Sequence, residues 1–208
     1  SSIMAETAAN TQTTESNSSI STEPLDLLDR IRQGFTFPAL ESTHISQYEK
    51  WSTEHDSYLN GLFARGTPFL YHIVEEIDKR GLPMELALLP AIESAYKPNA
   101  VSRSKADGLW QFIPSTAKEW GLATNRIDNR KNVVKSTQVA IQYLKYLHNQ
   151  LNNWDLALAA YNWGIGSVKK ALKRGLMANG TINLKKLPRE TRKYLISFHH
   201  LNRLIRNN

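Results

Sequence analysis

Leu86-Ala-Leu-Leu-Pro-Ala-Ile-Glu93-Ser94 is an apolar run that ends in a carboxylate. Pro83 just before it suits the first turn of a helix, so a helix is expected from Pro83 to about Ser94, kinked at Pro90. Glu93 then lies at the helix C-terminus, where the macrodipole is negative. Apolar neighbours and that dipole both disfavour the charged carboxylate, so its pKa should rise and the group should stay protonated near neutral pH. A surface Glu at a frayed helix end is the plainer alternative.

Outward from this run the signals stay helical. Leu25, Leu27, Leu28 and Ile31 fit a short amphipathic helix starting near Pro24. Thr67-Pro68 reads as a cap and first-turn proline, followed by Leu70, Ile73, Val74 and Ile77 and closed by Gly81. Pro114-Ser-Thr opens a short helix that Gly121 ends. Ala140, Tyr143, Leu144, Leu147 and Leu151 share one face of a helix from about Val134 to Leu151. Further helices are expected over 154–162, 167–174 and 189–206, and only Thr181-Ile-Asn-Leu184 hints at an extended piece. The fold class is all-α. Residues 1–22, rich in Ser, Thr, Ala, Asn and Glu, read as a disordered leader; 23–82 as an N-terminal helical extension; and 83–208 as the domain that carries the chemistry.

The chain has 208 residues, 41% apolar and 22% charged, as soluble globular proteins do. No run approaches the roughly 20 apolar residues of a membrane span. With no cysteine, disulfides and thiolate chemistry are excluded. A formal charge of +7 favours polyanions (nucleic acid, anionic lipid or an acidic wall polymer) without choosing among them. His199 and His200 are adjacent and the other histidines scattered, so neither a metal site nor a cofactor is expected.

Three later segments add chemistry. In Gly108-Leu-Trp-Gln-Phe112 the glycine lets backbone approach a ligand, Trp110 offers a face for a sugar ring, and Gln111 can donate and accept hydrogen bonds. Ala160-Tyr161-Asn162 adds a phenol and an amide, and Glu190-Thr-Arg-Lys-Tyr194 a second phenol. Taken singly, each is explained as a loop, a cap or packing.

In this order and spacing, Glu93-Ser94, Gly108-Leu-Trp-Gln111, Ala160-Tyr-Asn162 and Tyr194 together resemble the soluble lytic transglycosylase family, whose fold is goose-lysozyme-like. Leu88-Leu-Pro-Ala-Ile-Glu-Ser94 with Gly108-Leu-Trp-Gln-Phe-Ile-Pro114 looks like its membrane-bound lytic transglycosylase D branch. Trp110 stands where the family usually has Met or Ile. That branch often carries C-terminal LysM modules, none of which follows Arg206, and a lipid-anchored member would need an N-terminal Cys; a short or trimmed member is expected.

The resemblance implies a periplasmic or envelope enzyme acting as a monomer on peptidoglycan glycan strands. Association with the outer membrane would run through an N-terminal segment outside this sequence. It implies Glu93 as single acid and base, Ser94 and Gln111 against the sugar near the cleaved bond, and Asn162 on an acetamido or hydroxyl group. It further implies Tyr161 in the groove wall and Tyr194 orienting the Glu93 carboxyl. Asp107, directly before Gly108, is either a solvated turn residue or a second carboxylate for lysozyme-like hydrolysis. Two further alternatives are a glycan-binding module with an idle Glu, and a nucleic-acid protein built on Gly164-Ile-Gly166 as a helix-hairpin-helix.

Overall fold

The computed structural model describes residues 24–38, 40 and 56–207. The leader expected over 1–22 lies outside the described residues. Helix α1 (Pro24–Gln33) buries Leu27 and Ile31, as its spacing predicts. Helix α2 (Asp56–Lys79) begins well before Thr67-Pro68, so the expected start is corrected: Pro68 lies inside the helix. The Thr67 hydroxyl donates to the Phe63 carbonyl one turn back (2.7 Å), and Leu62 on the preceding turn is buried. Burial along one continuous helix outweighs the roughly 3 kcal/mol that an interior proline costs. Gly66 sits where a Cβ would come within 2.8 Å of the Tyr96 ring, which accounts for a glycine in mid-helix. The end follows expectation: Gly81 has φ +61°, its N–H donates to Asp78 O, and that of Leu82 to Ile77 O.

The decisive stretch is not one kinked helix. Met84–Leu88 forms a 3₁₀ helix, and α3 (Leu89–Ser94) follows with Pro90 in its first turn, where a missing N–H is harmless. Helix α4 (Pro114–Glu119) leads to α5 (Val133–Leu151), whose Asn132 cap accepts from the Lys135 N–H at 3.0 Å. Then come α6 (Trp154–Trp163) and α7 (Ile165–Lys173). A two-residue antiparallel hairpin pairs β1 (Met177–Ala178) with β2 (Thr181–Ile182), before a 3₁₀ turn (Leu184–Lys186) and α8 (Arg189–Asn207).

One apolar core runs through all of this. Ile31, Ile73, Leu88, Trp110, Leu144, Leu158 and Phe198 belong to it, so residues before and after Pro83 share one interior. Among the described residues no helix is long and apolar enough to cross a membrane.

Candidate active site

Helix α3 is short and ends abruptly. Ala95 and Tyr96 follow in left-handed conformation (φ +51° and +56°), which costs a non-glycine residue about 1 kcal/mol or more each. Burial holds them there: the Tyr96 ring is in the core and its hydroxyl donates to Ala87 O at 2.9 Å. This turn leaves Glu93 in the wall of a cleft of about 450 Å³. Gln111, Tyr161, Asn162 and Tyr194 line the same cleft, although they come from a loop, α6 and α8. Five of the six expected site residues therefore converge.

Ser94 does not line the cleft. It is buried, and its hydroxyl lies 2.8 Å from Leu109 O and 3.1 Å from Pro90 O, joining α3 to the loop that carries Gln111. Trp110 is also corrected. It is fully buried, its indole N–H donates to the Thr137 hydroxyl (2.9 Å), and no face is left for a sugar. Gly108 (φ +85°) is required by a close approach, though not to a ligand: a Cβ there would sit 1.9 Å from Arg130 O. Asp107 is neither solvated nor in the cleft wall. It is buried, held by the Lys131 ammonium at 2.6 Å and within 3.7 Å of Arg130. With Arg130 donating to Lys105 O and Phe112 O, this group braces the loop from behind.

The remaining groups are tied down as well. The Gln111 side-chain amide donates to Ala100 O and Gly108 O (3.0 and 2.8 Å), while its backbone takes φ +53°. The Tyr161 hydroxyl donates to Trp110 O at 2.7 Å, and Asn162 Oδ1 accepts from the Thr191 hydroxyl at 2.9 Å. Tyr194 faces Glu93, yet its buried hydroxyl finds no hydrogen-bond partner of ordinary geometry among the described residues.

Burial pushes the Glu93 carboxyl up to about 8. The Tyr194 hydroxyl opposes that rise, and the negative charge of Glu190 adds to it. Desolvation leads, and the dipole of a six-residue helix is a minor matter. Burial also raises both phenols well above their ordinary value, with the Glu93 charge adding to the effect. An acid held neutral in a polar-rimmed cleft is equipped to deliver a proton.

A transglycosylase SLT domain model matches residues 71–180, more than half of the chain. The chain belongs to the transglycosylase SLT domain family. Membrane-bound lytic murein transglycosylase D of Escherichia coli K12 is 36% identical over 171 residues, which are 80% of this chain and 38% of that relative. A protein of Alteromonas sp. strain M-1, named for tributyltin chloride resistance, is 43% identical over 52% of this chain and 54% of its own. An inactive mutant of lytic transglycosylase Slt from Pseudomonas aeruginosa has a TM-score of 0.47 at 26% identity, covering 62% of this chain and 22% of that one. The chain thus spans well under half of the transglycosylase D relative. As an SLT domain it has the helical, lysozyme-like fold expected of it.

Within this SLT domain cleft, sequence reasoning overlooked Glu190, Lys193, Ser102 and Ser104, all of which line it. Glu190 was within reach, because it precedes Tyr194 by four residues and on a helix faces the same way. The serines sit in an irregular loop whose path no periodicity announces; their hydroxyls lie 3.0 Å apart.

Proposed function

We propose that this chain is a peptidoglycan lytic transglycosylase with Glu93 as its single acid and base. The observation that carries the reading is the neutral Glu93 carboxyl in a cleft shared with Gln111, Tyr161, Asn162 and Tyr194. The SLT membership and the transglycosylase D relative support it. The Glu93 proton passes to the glycosidic oxygen between N-acetylmuramic acid and N-acetylglucosamine as the C1–O bond breaks. The resulting carboxylate then takes the proton of the C6 hydroxyl of the same muramic acid, and O6 closes on C1. A 1,6-anhydro ring forms, the acid is regenerated and no water is consumed. Tethering the nucleophile to the reacting sugar is the source of rate.

In this reading Gln111 and Asn162 contact the sugar, Tyr161 shapes the wall and Tyr194 orients the carboxyl. Ser94 acts behind them by fixing the loop. Residues 83–208 are the catalytic part, 23–82 a helical buttress, and the protein works as a monomer in the bacterial envelope, where peptidoglycan lies. Hydrolysis through Asp107 is disfavoured by its ion pair and its position outside the cleft.

Mass spectrometry of purified peptidoglycan digested with the protein and with Glu93→Gln tests this directly. The expected products end in 1,6-anhydro rings, about 18 Da (one water) lighter than reducing ends, and vanish in the variant. Reducing ends in their place would make the protein a hydrolase and overturn the proposal.

A further inference from the structure

The charge of this chain is distributed unevenly. From residue 165 to the end there are eleven Lys and Arg and one acid, Glu190; the other 164 residues carry fifteen basic and eighteen acidic side chains. The excess sits on one lobe, formed by α7, the β1–β2 hairpin, the 3₁₀ turn and the start of α8. Backbone bonds knit this lobe together, Leu176 N to Ala171 O (3.0 Å) and Asn183 N to Leu176 O (2.7 Å) among them. Lys169, Lys170, Lys173 and Arg174 are exposed at α7, and Lys185 and Lys186 on the turn. None of the six has a carboxylate partner among the described residues.

Folding does not call for this arrangement. Lys169 with Lys173 and Lys170 with Arg174 are like-charge i,i+4 pairs, which cost a helix stability. The dipole at the end of α7 favours some of them, but Arg189 and Lys193 stand in the first turns of α8, where a cation is disfavoured. Lys193 also lines the cleft that holds Glu93, so the basic lobe is continuous with the site.

We propose that the lobe from Ile165 to Lys193 is a second binding surface, which takes the carboxylates carried along an anionic glycan strand whose scissile bond sits in the cleft. This rests on the function proposed above and names the form of polymer the site takes. The carboxylates belong to the peptide stems or, on muramic acid that has lost its stem, to the lactyl group thereby freed. Exposed cations with no partner attract such a chain at long range and lose their hold as salt screens them.

The test uses the full chain carrying Glu93→Gln, so that the polymer survives, with and without Lys169→Gln, Lys170→Gln, Lys173→Gln and Arg174→Gln. All four positions are exposed, and circular dichroism with thermal melting checks that the fold is intact. Each protein is sedimented with purified peptidoglycan sacculi, with sacculi whose carboxyls are converted to neutral amides, and with peptide-free strands. The parent should bind native sacculi about tenfold more tightly than amidated ones, and about tenfold more tightly than the fourfold variant does. Both gaps should close between about 50 and 300 mM salt. A gap between parent and fourfold variant that persists on peptide-free strands means that the lobe also takes the lactyl carboxylate freed with the stem, and one that vanishes there assigns the stems alone.

Equal binding by a folded variant would overturn the proposal. So would indifference to amidation combined with charge-dependent binding to phosphatidylglycerol vesicles, which would make the lobe a membrane face. Failure of the cleavage reading would appear separately, as missing anhydro products from the unmutated protein.

Discussion

Glu93 and Tyr194 face each other, and the buried Tyr194 hydroxyl has no hydrogen-bond partner of ordinary geometry among the described residues. The carboxyl is raised from an ordinary 4.5 to about 8, so between those values the folded protein holds a proton that the unfolded chain has released. Stability from this group therefore falls as pH rises from about 4.5 to about 8 and levels off above. Glu93→Gln, which cannot ionise, should be more stable than the parent at pH 9, by up to about 5 kcal/mol, and no more stable at pH 4. Parallel melting curves at the two pH values would refute the raised pKa. Under the function proposed above, activity should decline above about pH 8 as the Glu93 proton is lost. Because the Tyr194 hydroxyl opposes the upward shift, Tyr194→Phe should move that limb to higher pH and lower kcat about tenfold with little change in KM. A fall in kcat with the limb unmoved would mean that Tyr194 only packs. At this scale the sequence was readable for Glu93, whose apolar neighbours foretold a raised pKa in the cleft wall. It misled where a side chain serves the interior: Trp110 offers the core its rings and Thr137 its N–H, leaving nothing for a ligand.

The loop from Ala100 to Phe112 is the element that aims Gln111, and its supports are backbone contacts that no pattern in the chain announces. Gly108 N donates to Ala100 O (2.9 Å), Asp107 N to Phe112 O (3.1 Å), and Arg130 closes the far side. A helix is legible because its period repeats; this loop depends on a carbonyl 22 residues away that leaves room for hydrogen alone. The Thr67-Pro68 start misled for a related reason, since local cap chemistry was outweighed by the burial of the preceding turn. Gly108→Ala should be strongly destabilising, by about 3 kcal/mol, since it combines a backbone clash with an unfavourable φ. Ser94→Ala is the milder probe. Removing one hydroxyl that bridges two carbonyls should cost about 1–2 kcal/mol in denaturant unfolding and leave KM nearly unchanged. A large rise in KM at unaltered stability would return Ser94 to the sugar-binding role that the sequence resemblance implies.

For the molecule as a whole, the question is what fastens α1 and the segment after it to the helices that hold the cleft. Phe37 stacks on Trp154 and meets Phe198, each at 5.6 Å between ring centres, while Arg32 Nε donates to Ile205 O at 2.5 Å. Those contacts join the first described helix to α6 and α8, and the hydrophobic pattern of Leu27 and Ile31 foretold that α1 would bury a face. It could not foretell Glu85, because a Glu inside an apolar run reads as a solvent-facing interruption. Instead Glu85 is fully buried, and its carboxyl accepts from Thr36 N (2.9 and 3.1 Å) and Phe37 N (2.5 Å). Removing the acceptor leaves two amides short of a partner, at about 1–3 kcal/mol each. Glu85→Ala should therefore lose about 3 kcal/mol and lower the melting midpoint by about 6–12 °C, since each kcal/mol moves a domain of this size by about 2–4 °C. Glu85→Gln keeps one carbonyl acceptor and should fall between parent and Ala. Hydrogen exchange should speed up most at Thr36 and Phe37, while the cleft, lined by other residues, keeps its product pattern. If Ala and Gln melt alike and the exchange of those two amides is unchanged, the tether lies in the aromatic contacts of Phe37, and the Glu85 hydrogen bonds add nothing to it.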